Sequence, residues 1–276
     1  MTLDPRPFLK WAGGKRVQAP NILNLFPRSI ETYYEPFVGG GAVYFSLVTK
    51  KPLRGAVLND YNAELMNVYR CVRDFPDELI EQVKRLAITK DVFMRLREKL
   101  PSDFSPVRRA ARTLFLNKTC FNGLYRVNRK GVFNVSYDDT RKTPPVIVDP
   151  ENIRACSEFL STVKLMSGDF EESVKTAQHG DVVYFDPPYI EVSNTANFTS
   201  YTSNGFTMDD QARLAKLFRE LAHRGVAVIA SNSDTPPVRD LYVDWEIHEV
   251  QARRNINSKG DRRGPVGELL IVGRPR

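Results

Sequence analysis

Three short, continuously apolar runs separated by helical patterns are the feature that most constrains how this chain can fold. The runs are GAVLND at 55–60, DVVYF at 181–185 and GVAVIA at 225–230. Their apolar residues do not alternate with polar ones, which is typical of strands covered on both faces, as in a parallel sheet. Because helical patterns separate the runs, the sequence predicts an α/β fold with a doubly wound, Rossmann-like sheet.

Two further segments extend this prediction. ETYYEPF at 31–37 reads as a strand that ends at a glycine cluster, and AVYFSLV at 42–48 reads as the helix that follows. A later helix is expected to begin at Thr207, with Asp210 in the position that Glu usually takes in a capping box. Gly225 is expected to close that segment before the next strand.

The middle of the chain has a different pattern. Successive amphipathic helices are predicted in AELMNVYRCVRD, DELIEQVKRLA, DVFMRLREKL and PVRRAARTLFLNK, without strands between them. The turn signals Asn-Gly and Lys-Gly then predict a hairpin over 121–137. We therefore expect a discontinuous core of residues 1–61 and 161–276, with a mostly helical subdomain inserted at 62–160. The Ser-, Thr- and Asn-rich stretch 191–205 is long for a connection, so we expect a functional loop there.

Composition excludes several classes of protein. No run approaches the roughly 20 apolar residues of a membrane span, so we expect a cytoplasmic protein. The three cysteines lie far apart in sequence, and the chain has no CxxC or HExxH motif, so neither a disulfide framework nor a metal is expected. The net charge of +7 favours a polyanionic partner. Candidate phosphate contacts within basic clusters are Arg109, Arg112, Lys118, Arg129, Lys130 and Arg254.

A glycine cluster and a later acid indicate a nucleoside-bearing ligand. Gly39, Gly40 and Gly41 allow the backbone to turn tightly and to approach a ligand. The cluster matches neither the GxGxxG dinucleotide fingerprint nor the phosphate-binding P-loop, which disfavours ATP. Asp60 follows about 20 residues later, a spacing at which an acid commonly accepts hydrogen bonds from ribose hydroxyls. The alternative for Asp60 is a cap of the next helix, which Asn62 could cap equally well, and the two roles of Asp60 are compatible.

The run VVYF leads directly into Asp186, Pro187, Pro188 and Tyr189. Each proline lacks a backbone N–H and restricts the residue before it to extended geometry. The segment therefore offers only hydrogen-bond acceptors beside an aromatic ring, which suits a planar group bearing an amine, such as a nucleobase. The alternative is a rigid turn in which the aspartate acts as a cap.

The ordered set of motifs FLKWAGGK, EPFVGGG, NDYNAEL, FNGLYRVN, FNV, GDF, VYFDPPY, TANFTSYT and ELL resembles DNA adenine methyltransferases of the Dam type, the α group that includes the enzyme of the DpnII system. The resemblance spans nearly the whole chain. It implies transfer of a methyl group from S-adenosylmethionine to the N6 amine of an adenine flipped out of duplex DNA, within GATC, without a metal. It assigns catalysis to Asp186, Pro187, Pro188 and Tyr189.

The resemblance also implies binding residues. Those for the cofactor are Trp11, Lys15, Gly39, Gly40, Gly41, Asp60, Asp169, Phe170 and Asp186. Those for DNA are Lys10, Phe121, Asn122, Leu124, Arg126 and Ser136. The resemblance makes the helical insert at 62–160 the target-recognition subdomain and residues 1–61 with 161–276 the catalytic methyltransferase core. Without the resemblance, Asp169 reads equally well as a helix cap. The chain departs from the family in FNVSYDD, where Ser136 replaces an expected proline and Asp138 adds negative charge.

The sequence is compatible with three other functions. A nucleotide-dependent oxidoreductase would share the fold, a non-enzymatic DNA-binding module would share the basic clusters, and a cytosine-amine methyltransferase would share much of the chemistry. Asp186 favours adenine, because cytosine-amine enzymes more often carry Ser there. The expected partner is double-stranded DNA, and the expected state is a nucleoid-associated monomer. A separately acting restriction endonuclease and an orphan enzyme are both compatible with the sequence.

Overall fold

The computed structural model describes residues 3–189, 205–252 and 266–274. Within these ranges the chain forms one seven-stranded sheet in the order β3-β2-β1-β4-β5-β7-β6. The strands are β1 (Thr32–Glu35), β2 (Gly55–Asp60), β3 (Lys164–Ser167), β4 (Val182–Phe185), β5 (Ala227–Ser233), β6 (Glu246–Ala252) and β7 (Val266–Gly273). Residues 191–204 of the predicted loop, and Arg254, lie outside the described residues.

The centre of the sheet is parallel, as the continuous apolar runs predict. Strand β1 pairs in parallel with β2 and with β4, and β4 pairs in parallel with β5. Every residue of β4 is buried, which explains its unbroken apolar sequence. Strand β7 is antiparallel to both β5 and β6, an arrangement that the sequence did not predict. The predicted Rossmann-like α/β class is confirmed.

The helices among the described residues include all the predicted ones, with shifts at several ends. They are α1 (Ala19–Asn24), α2 (Ala42–Val48), α3 (Ala63–Asp74), α4 (Pro76–Lys84), α5 (Lys90–Arg97), α6 (Pro106–Thr119), α7 (Pro150–Leu160), α8 (Phe170–Ser173), α9 (Met208–His223) and α10 (Pro236–Leu241). The predicted capping box of α9 is confirmed, since the Asp210 N–H donates to the Thr207 hydroxyl and the Thr207 N–H donates to the Asp210 carboxylate.

The chain divides into two compact units. The first unit comprises residues 1–16, 38–52 and 60–168, and the second unit comprises residues 17–37, 53–59 and 169–276. Residues 1–16 and 38–52 therefore group with the helical middle of the chain. The functional division into a catalytic core (1–61 and 161–276) and a recognition subdomain (62–160) stays a prediction.

The first unit contains α2 to α7. Local signals set several helix starts: Asn62 caps α3 by accepting from the Glu64 and Leu65 N–H groups, and Thr89 caps α5. The segment predicted as a hairpin at 121–137 pairs through two isolated antiparallel bridges, Cys120–Tyr137 and Val127–Phe133. It is therefore an antiparallel loop with little regular strand.

All three cysteines, Cys71, Cys120 and Cys156, are buried free thiols. Burial raises the pKa of the Cys71 and Cys120 thiols to about 11, so both stay protonated at neutral pH. Within residues 3–189, 205–252 and 266–274, no helix has the length and apolar character needed to cross a membrane.

Candidate active site

The segment Asp186 to Tyr189 leaves the end of β4, and neighbouring elements of the second unit hold it in place. The Pro188 carbonyl accepts a hydrogen bond from Gln211 Nε2 on α9 over 3.3 Å. The Gln211 side-chain oxygen in turn accepts from Asn232 Nδ2 on β5 over 2.9 Å. Both amides are fully buried. These two hydrogen bonds therefore fix the direction of the Pro188 carbonyl, in a segment whose two prolines have no N–H to donate.

A buried acid holds the aromatic ring of the same segment. The Tyr189 hydroxyl donates to Glu268 on β7, whose side chain is buried. Burial raises the pKa of Tyr189 well above its usual value, and the carboxylates of Asp186 and Glu268 raise it further. At neutral pH the phenol is therefore neutral and is a permanent donor. Sequence reasoning missed Glu268 and Gln211, although a single acid inside the apolar run GELLIV is a usable signal.

Two more buried tyrosines belong to this region of the second unit. The Tyr33 hydroxyl donates to Glu35 over 2.9 Å, and the Tyr184 hydroxyl lies 2.6 Å from Ser231 Oγ. The pKa of each is raised well above its usual value, mainly by burial, and the Asp186 carboxylate adds to both shifts. The carboxylates of Asp186, Glu35 and Glu268 thus lie close enough to these phenols to raise their pKa, and a carboxylate favours positive charge near it.

In the first unit, Asp60 and the glycine turn are joined by hydrogen bonds. The Gly39 N–H donates to Asp60 Oδ2 over 3.1 Å, and the Asn62 N–H donates to Asp60 Oδ1 over 2.9 Å. Asn62 caps α3, so the alternative role of Asp60 as that cap is wrong. Burial raises the pKa of Asp60, and the two backbone hydrogen bonds oppose the shift. A carboxylate accepts about four hydrogen bonds, so two donors do not saturate it.

The glycines of this turn are required by their surroundings. Gly39 has φ of 48° and Gly41 has φ of 72°, in the left-handed region that favours glycine. A Cβ on Gly39 would lie 2.9 Å from Cδ1 of Trp11, and a Cβ on Gly41 would lie 2.6 Å from the Tyr69 hydroxyl. That hydroxyl donates to the Gly39 carbonyl over 3.0 Å. The turn therefore lies close to the Trp11 indole and leaves no room for a side chain at Gly39 or Gly41.

Two predicted cofactor residues precede the turn in the first unit. The Trp11 ring stacks on Tyr125, with centroids 5.5 Å apart and an interplanar angle of 25°. Lys15 is buried, with 8% of its surface exposed, and its Nζ lies 3.4 Å from the Gly13 carbonyl. An ammonium at a buried position favours anionic partners. The stack with Tyr125 was not predicted.

Asp169 and Phe170 lie together in the second unit. Asp169 caps α8 by accepting from the Glu171 N–H, which confirms the cap interpretation, and both its oxygens accept from Arg213. The Phe170 ring is buried against Phe37 and Phe206, at centroid distances of 5.4 Å and 6.0 Å. Phe37 and Phe206, which sequence reasoning missed, thus build an apolar aromatic cluster around a predicted cofactor residue.

The predicted DNA contacts are mostly exposed in the first unit. The exposed ones are Lys10, Phe121, Asn122, Arg126 and Ser136, and Leu124 is half-buried. The Phe121 N–H donates to the Ser136 carbonyl over 2.9 Å, and the Arg126 Nε donates to Asn134 Oδ1 over 2.8 Å. Asn122 has φ of 56°, a left-handed conformation that is uncommon for a residue with a side chain. The turn therefore presents Phe121 to solvent with a constrained backbone.

The candidate phosphate contacts divide into two groups. Arg112 was predicted wrongly: it is 3% exposed, and it donates to the carbonyls of Leu96 over 2.8 Å and Lys99 over 2.7 Å, because it lies on the packed face of α6. Arg109 pairs with Glu64. Lys118 is half-buried, and burial together with neighbouring cations lowers its pKa. The exposed candidates in the described residues are Arg129 and Lys130.

Comparison with known proteins decides the family. A family model described as D12 class N6 adenine-specific DNA methyltransferase matches residues 11–256. The chain belongs to this family. Membership in this family excludes the oxidoreductase and the non-enzymatic DNA-binding module. The enzyme is an adenine-specific DNA methyltransferase, and its substrate is duplex DNA.

Individual relatives extend over nearly the whole chain. The chain is 45% identical to a Type II methyltransferase, M1.LlaDCHI, of Lactococcus lactis subsp. cremoris, over 98% of this chain and 96% of the relative. It is 42% identical to the Type II methyltransferase M.MjaIII of Methanocaldococcus jannaschii, over 98% of this chain and 99% of the relative. It is 35% identical to the DNA adenine methylase of Escherichia coli K12, over 98% of this chain and 96% of the relative. The predicted Dam-type resemblance is therefore confirmed.

Proposed function

We propose that this D12 class enzyme transfers the methyl group of S-adenosylmethionine to the N6 amine of an adenine flipped out of duplex DNA, within the sequence GATC. The observation that carries the proposal is the acceptor-only segment at the end of β4, held from α9 through Gln211 and from β7 through Glu268. Such a segment is rigid before the substrate arrives, which lowers the cost of orienting the reacting amine.

The chemistry follows from the amine. Its lone pair is conjugated into the purine ring, so catalysis must draw that pair out of the ring. Asp186 accepts one amine hydrogen and the Pro187 carbonyl accepts the other, which favours a pyramidal nitrogen with a localised pair. The choice of Pro187 is supported by the hydrogen bond that the Pro188 carbonyl already accepts from Gln211. Positive charge that develops on the nitrogen is stabilised by the acids around the end of β4.

Tyr189 stacks on the flipped base. Its ring is set by the hydrogen bond to Glu268, so the stacking surface is in place before the base enters. Extruding a base from a duplex costs a few kcal/mol, which stacking and hydrogen bonds in the pocket repay. A ring that is already oriented makes the net free energy of base binding more favourable, because less side-chain entropy is lost on binding.

The residues present fit S-adenosylmethionine, which supplies, when bound, a methyl group on a positively charged sulfur. In the first unit, Asp60 accepts from ribose hydroxyls, Lys15 pairs with the methionine carboxylate, and Trp11 with the glycine turn bounds the methionine portion. In the second unit, Phe170 contacts the adenine ring of the cofactor and Asp169 accepts from its amine. The fit is supported by the unsaturated carboxylate of Asp60 and by the aromatic cluster around Phe170.

For DNA, we assign Phe121 as the wedge that enters the stack beside the flipped adenine and Asn122 as the contact to the opened pair. Leu124 contacts a thymine methyl group, Arg126 reads guanine O6 and N7, and Lys10 contacts a further base. All but the half-buried Leu124 are exposed. Ser136 lies where the family carries a proline, and its carbonyl anchors the Phe121 N–H.

The departure FNVSYDD does not place an unpaired acid beside the DNA contacts. Asp138 accepts from Arg141 Nε over 2.7 Å, and that hydrogen bond holds the pKa of Asp138 below its usual value. Asp139 accepts from Lys90 over 2.8 Å. Because Asp138 and the neighbouring Asp139 each have a basic partner, the departure is compatible with a GATC target.

The test is methyl transfer to duplexes that contain GATC or one of its single-base-pair variants, with mapping of the modified base. The proposal expects N6-methyladenine in GATC alone, and protection of that DNA from an endonuclease blocked by GATC methylation. Methylation of a different sequence would overturn the GATC assignment while leaving the family assignment intact.

Two relatives are named Type II methyltransferases, which supports a restriction–modification role with a separately acting endonuclease.

A further inference from the structure

A buried amide joins two of the proposed DNA-contacting elements in the first unit. Asn117, near the end of α6, has no exposed surface. Its Oδ1 accepts from the Lys10 N–H over 3.0 Å, and its Nδ2 donates to the Lys10 carbonyl over 2.8 Å and to the Gly123 carbonyl over 2.8 Å. One side chain thus binds the backbone of Lys10 on both sides and the backbone of the 121–123 turn at the same time.

The two elements also contact each other directly. A Cβ on Gly123 would lie 2.7 Å from both Cβ and Cδ of Lys10, so the stem of the lysine lies on the bare backbone of the glycine. Gly123 has φ of 67°, and Asn122 before it also has a positive φ. Lys10 and the turn therefore have a fixed relative position, which is set by the Asn117 amide and by the absence of a side chain at Gly123.

We propose that Asn117 is a positioning residue for sequence discrimination, which holds Lys10 in register with the Phe121–Gly123 turn so that both meet their bases at once. This inference rests on the proposed function, because it takes Lys10 and the turn as DNA contacts. Asn117 itself touches no DNA, since it has no exposed surface. Its effect is on geometry. If Lys10 and the turn are out of register, their contacts cannot all form on the correct sequence, and the ratio of kcat/KM on that sequence to kcat/KM on a wrong sequence falls.

The chemistry of the amide makes Asn117 hard to replace. The site needs one acceptor and two donors on a short side chain, and the asparagine amide supplies one acceptor oxygen and an NH₂ group with two donors, whereas a Ser or Thr hydroxyl has only one donor. Asn117→Asp keeps the acceptor for the Lys10 N–H and puts a carboxyl oxygen in place of the donors that face two carbonyls. Asn117→Ala removes all three hydrogen bonds.

The experiment compares these variants with a matched control on the same helix. Thr113 is buried on α6, and its hydroxyl has no hydrogen-bond partner among the described residues, so Thr113→Val removes a buried polar atom without breaking the junction. For each protein, kcat/KM is measured on a GATC duplex and on duplexes with one base pair changed. The affinity for S-adenosylhomocysteine is measured without DNA, as an independent report that the protein is folded.

The expected result is a loss of the cognate-to-variant ratio by at least about tenfold in both Asn117 variants, as when a base contact is misplaced. Cofactor affinity should stay unchanged, and Thr113→Val should keep the wild-type ratio. Lys10→Ala combined with Asn117→Ala should cost less than the sum of the two single changes, because the amide acts through Lys10. Gly123→Ala forces the same junction apart from the other side and should lower the ratio as well, which keeps the proposal testable if Asn117→Ala does not fold.

Two outcomes overturn the proposal. One is a wild-type ratio in Asn117→Asp and in Gly123→Ala. The other is a uniform loss of kcat/KM on all duplexes, which would make Asn117 a purely structural residue. If the wild-type protein and Thr113→Val show no preference for GATC over its variants, the proposed function itself fails, and this inference fails with it.

Discussion

The hydroxyl of Tyr189 donates to the carboxylate of Glu268, so the aromatic residue of the DPPY segment is tied to β7 across 79 residues of sequence. An ionisable side chain in the apolar run of β7 is costly unless it is bound. The bond offsets part of that cost and sets the orientation of a ring that is proposed to stack on the substrate. The hydrogen bond with Tyr189 is a physical reason for an acid, Glu268, in the ELL motif.

We expect Glu268→Ala to lower kcat by roughly 10- to 100-fold, because the buried phenol loses its acceptor at a cost of about 1–3 kcal/mol. The KM for S-adenosylmethionine should change little. Glu268→Gln keeps an acceptor and should retain most of the activity. A double-mutant cycle with Tyr189→Phe measures the coupling. Strict additivity of the two changes would show that Glu268 does not act through Tyr189.

Cofactor affinity should fall with decreasing pH earlier than an ordinary aspartate would cause. Burial raises the pKa of Asp60 from 3.8, and its ionised form is the one that accepts from the ribose hydroxyls. Affinity is therefore full above the raised pKa and is lost as pH falls through it. Titration calorimetry of S-adenosylhomocysteine between about pH 8 and about pH 5 checks this. An analogue that lacks the ribose hydroxyls is the control, and an equal fall for both ligands would contradict the role of Asp60.

Arg112 should matter for stability and not for DNA affinity. Arg112→Met removes the charged donor from the Leu96 and Lys99 carbonyls, and hydrogen bonds to charged groups contribute about 1.5–3 kcal/mol each, so we expect a loss of about 3 kcal/mol. Chemical denaturation measures it. Arg129→Ala, at an exposed position, is the matched control and should weaken DNA binding with little change in stability. Weaker DNA binding by Arg112→Met without a loss of stability would instead show that Arg112 contacts DNA.

Arg126 should govern discrimination at one guanine. The guanidinium is exposed and is held by Asn134 Oδ1 over 2.8 Å, so it is oriented before DNA binds. We expect Arg126→Ala to lower discrimination at that base pair by about 1–3 kcal/mol. Lys130→Ala, nearby on the same loop, should instead weaken binding to all sequences and reduce the salt dependence by about one phosphate. If Arg126→Ala shows that second behaviour, Arg126 is a phosphate contact.

The local parts of the fold were predictable because their signals are local. The bounds of α2, β2 and α3 match the sequence patterns, since apolar runs, glycines and the Asn62 cap lie within a few residues of the elements that they define. The Thr207 capping box of α9 is of the same kind. The parallel centre of the sheet followed from strands without polar alternation.

The remaining features depend on residues that are distant in sequence. The antiparallel edge formed by β6 and β7 comes from pairing to β5, which no local pattern of EIHEVQA indicates. The same applies to Asn117, which binds Lys10 at a separation of 107 residues. Arg112 was misassigned for a related reason: a basic cluster on a helix gives charge, but only packing decides which face is covered.

The most direct test of the central claim is the fate of a labelled methyl group. Wild-type enzyme, S-adenosylmethionine with a tritiated methyl group and a GATC duplex are incubated, and the DNA is hydrolysed to nucleosides. We predict label on the N6 of adenine alone, and no transfer by Asp186→Ala, which should still bind the duplex. Label on another atom, or full activity in Asp186→Ala, would contradict the account.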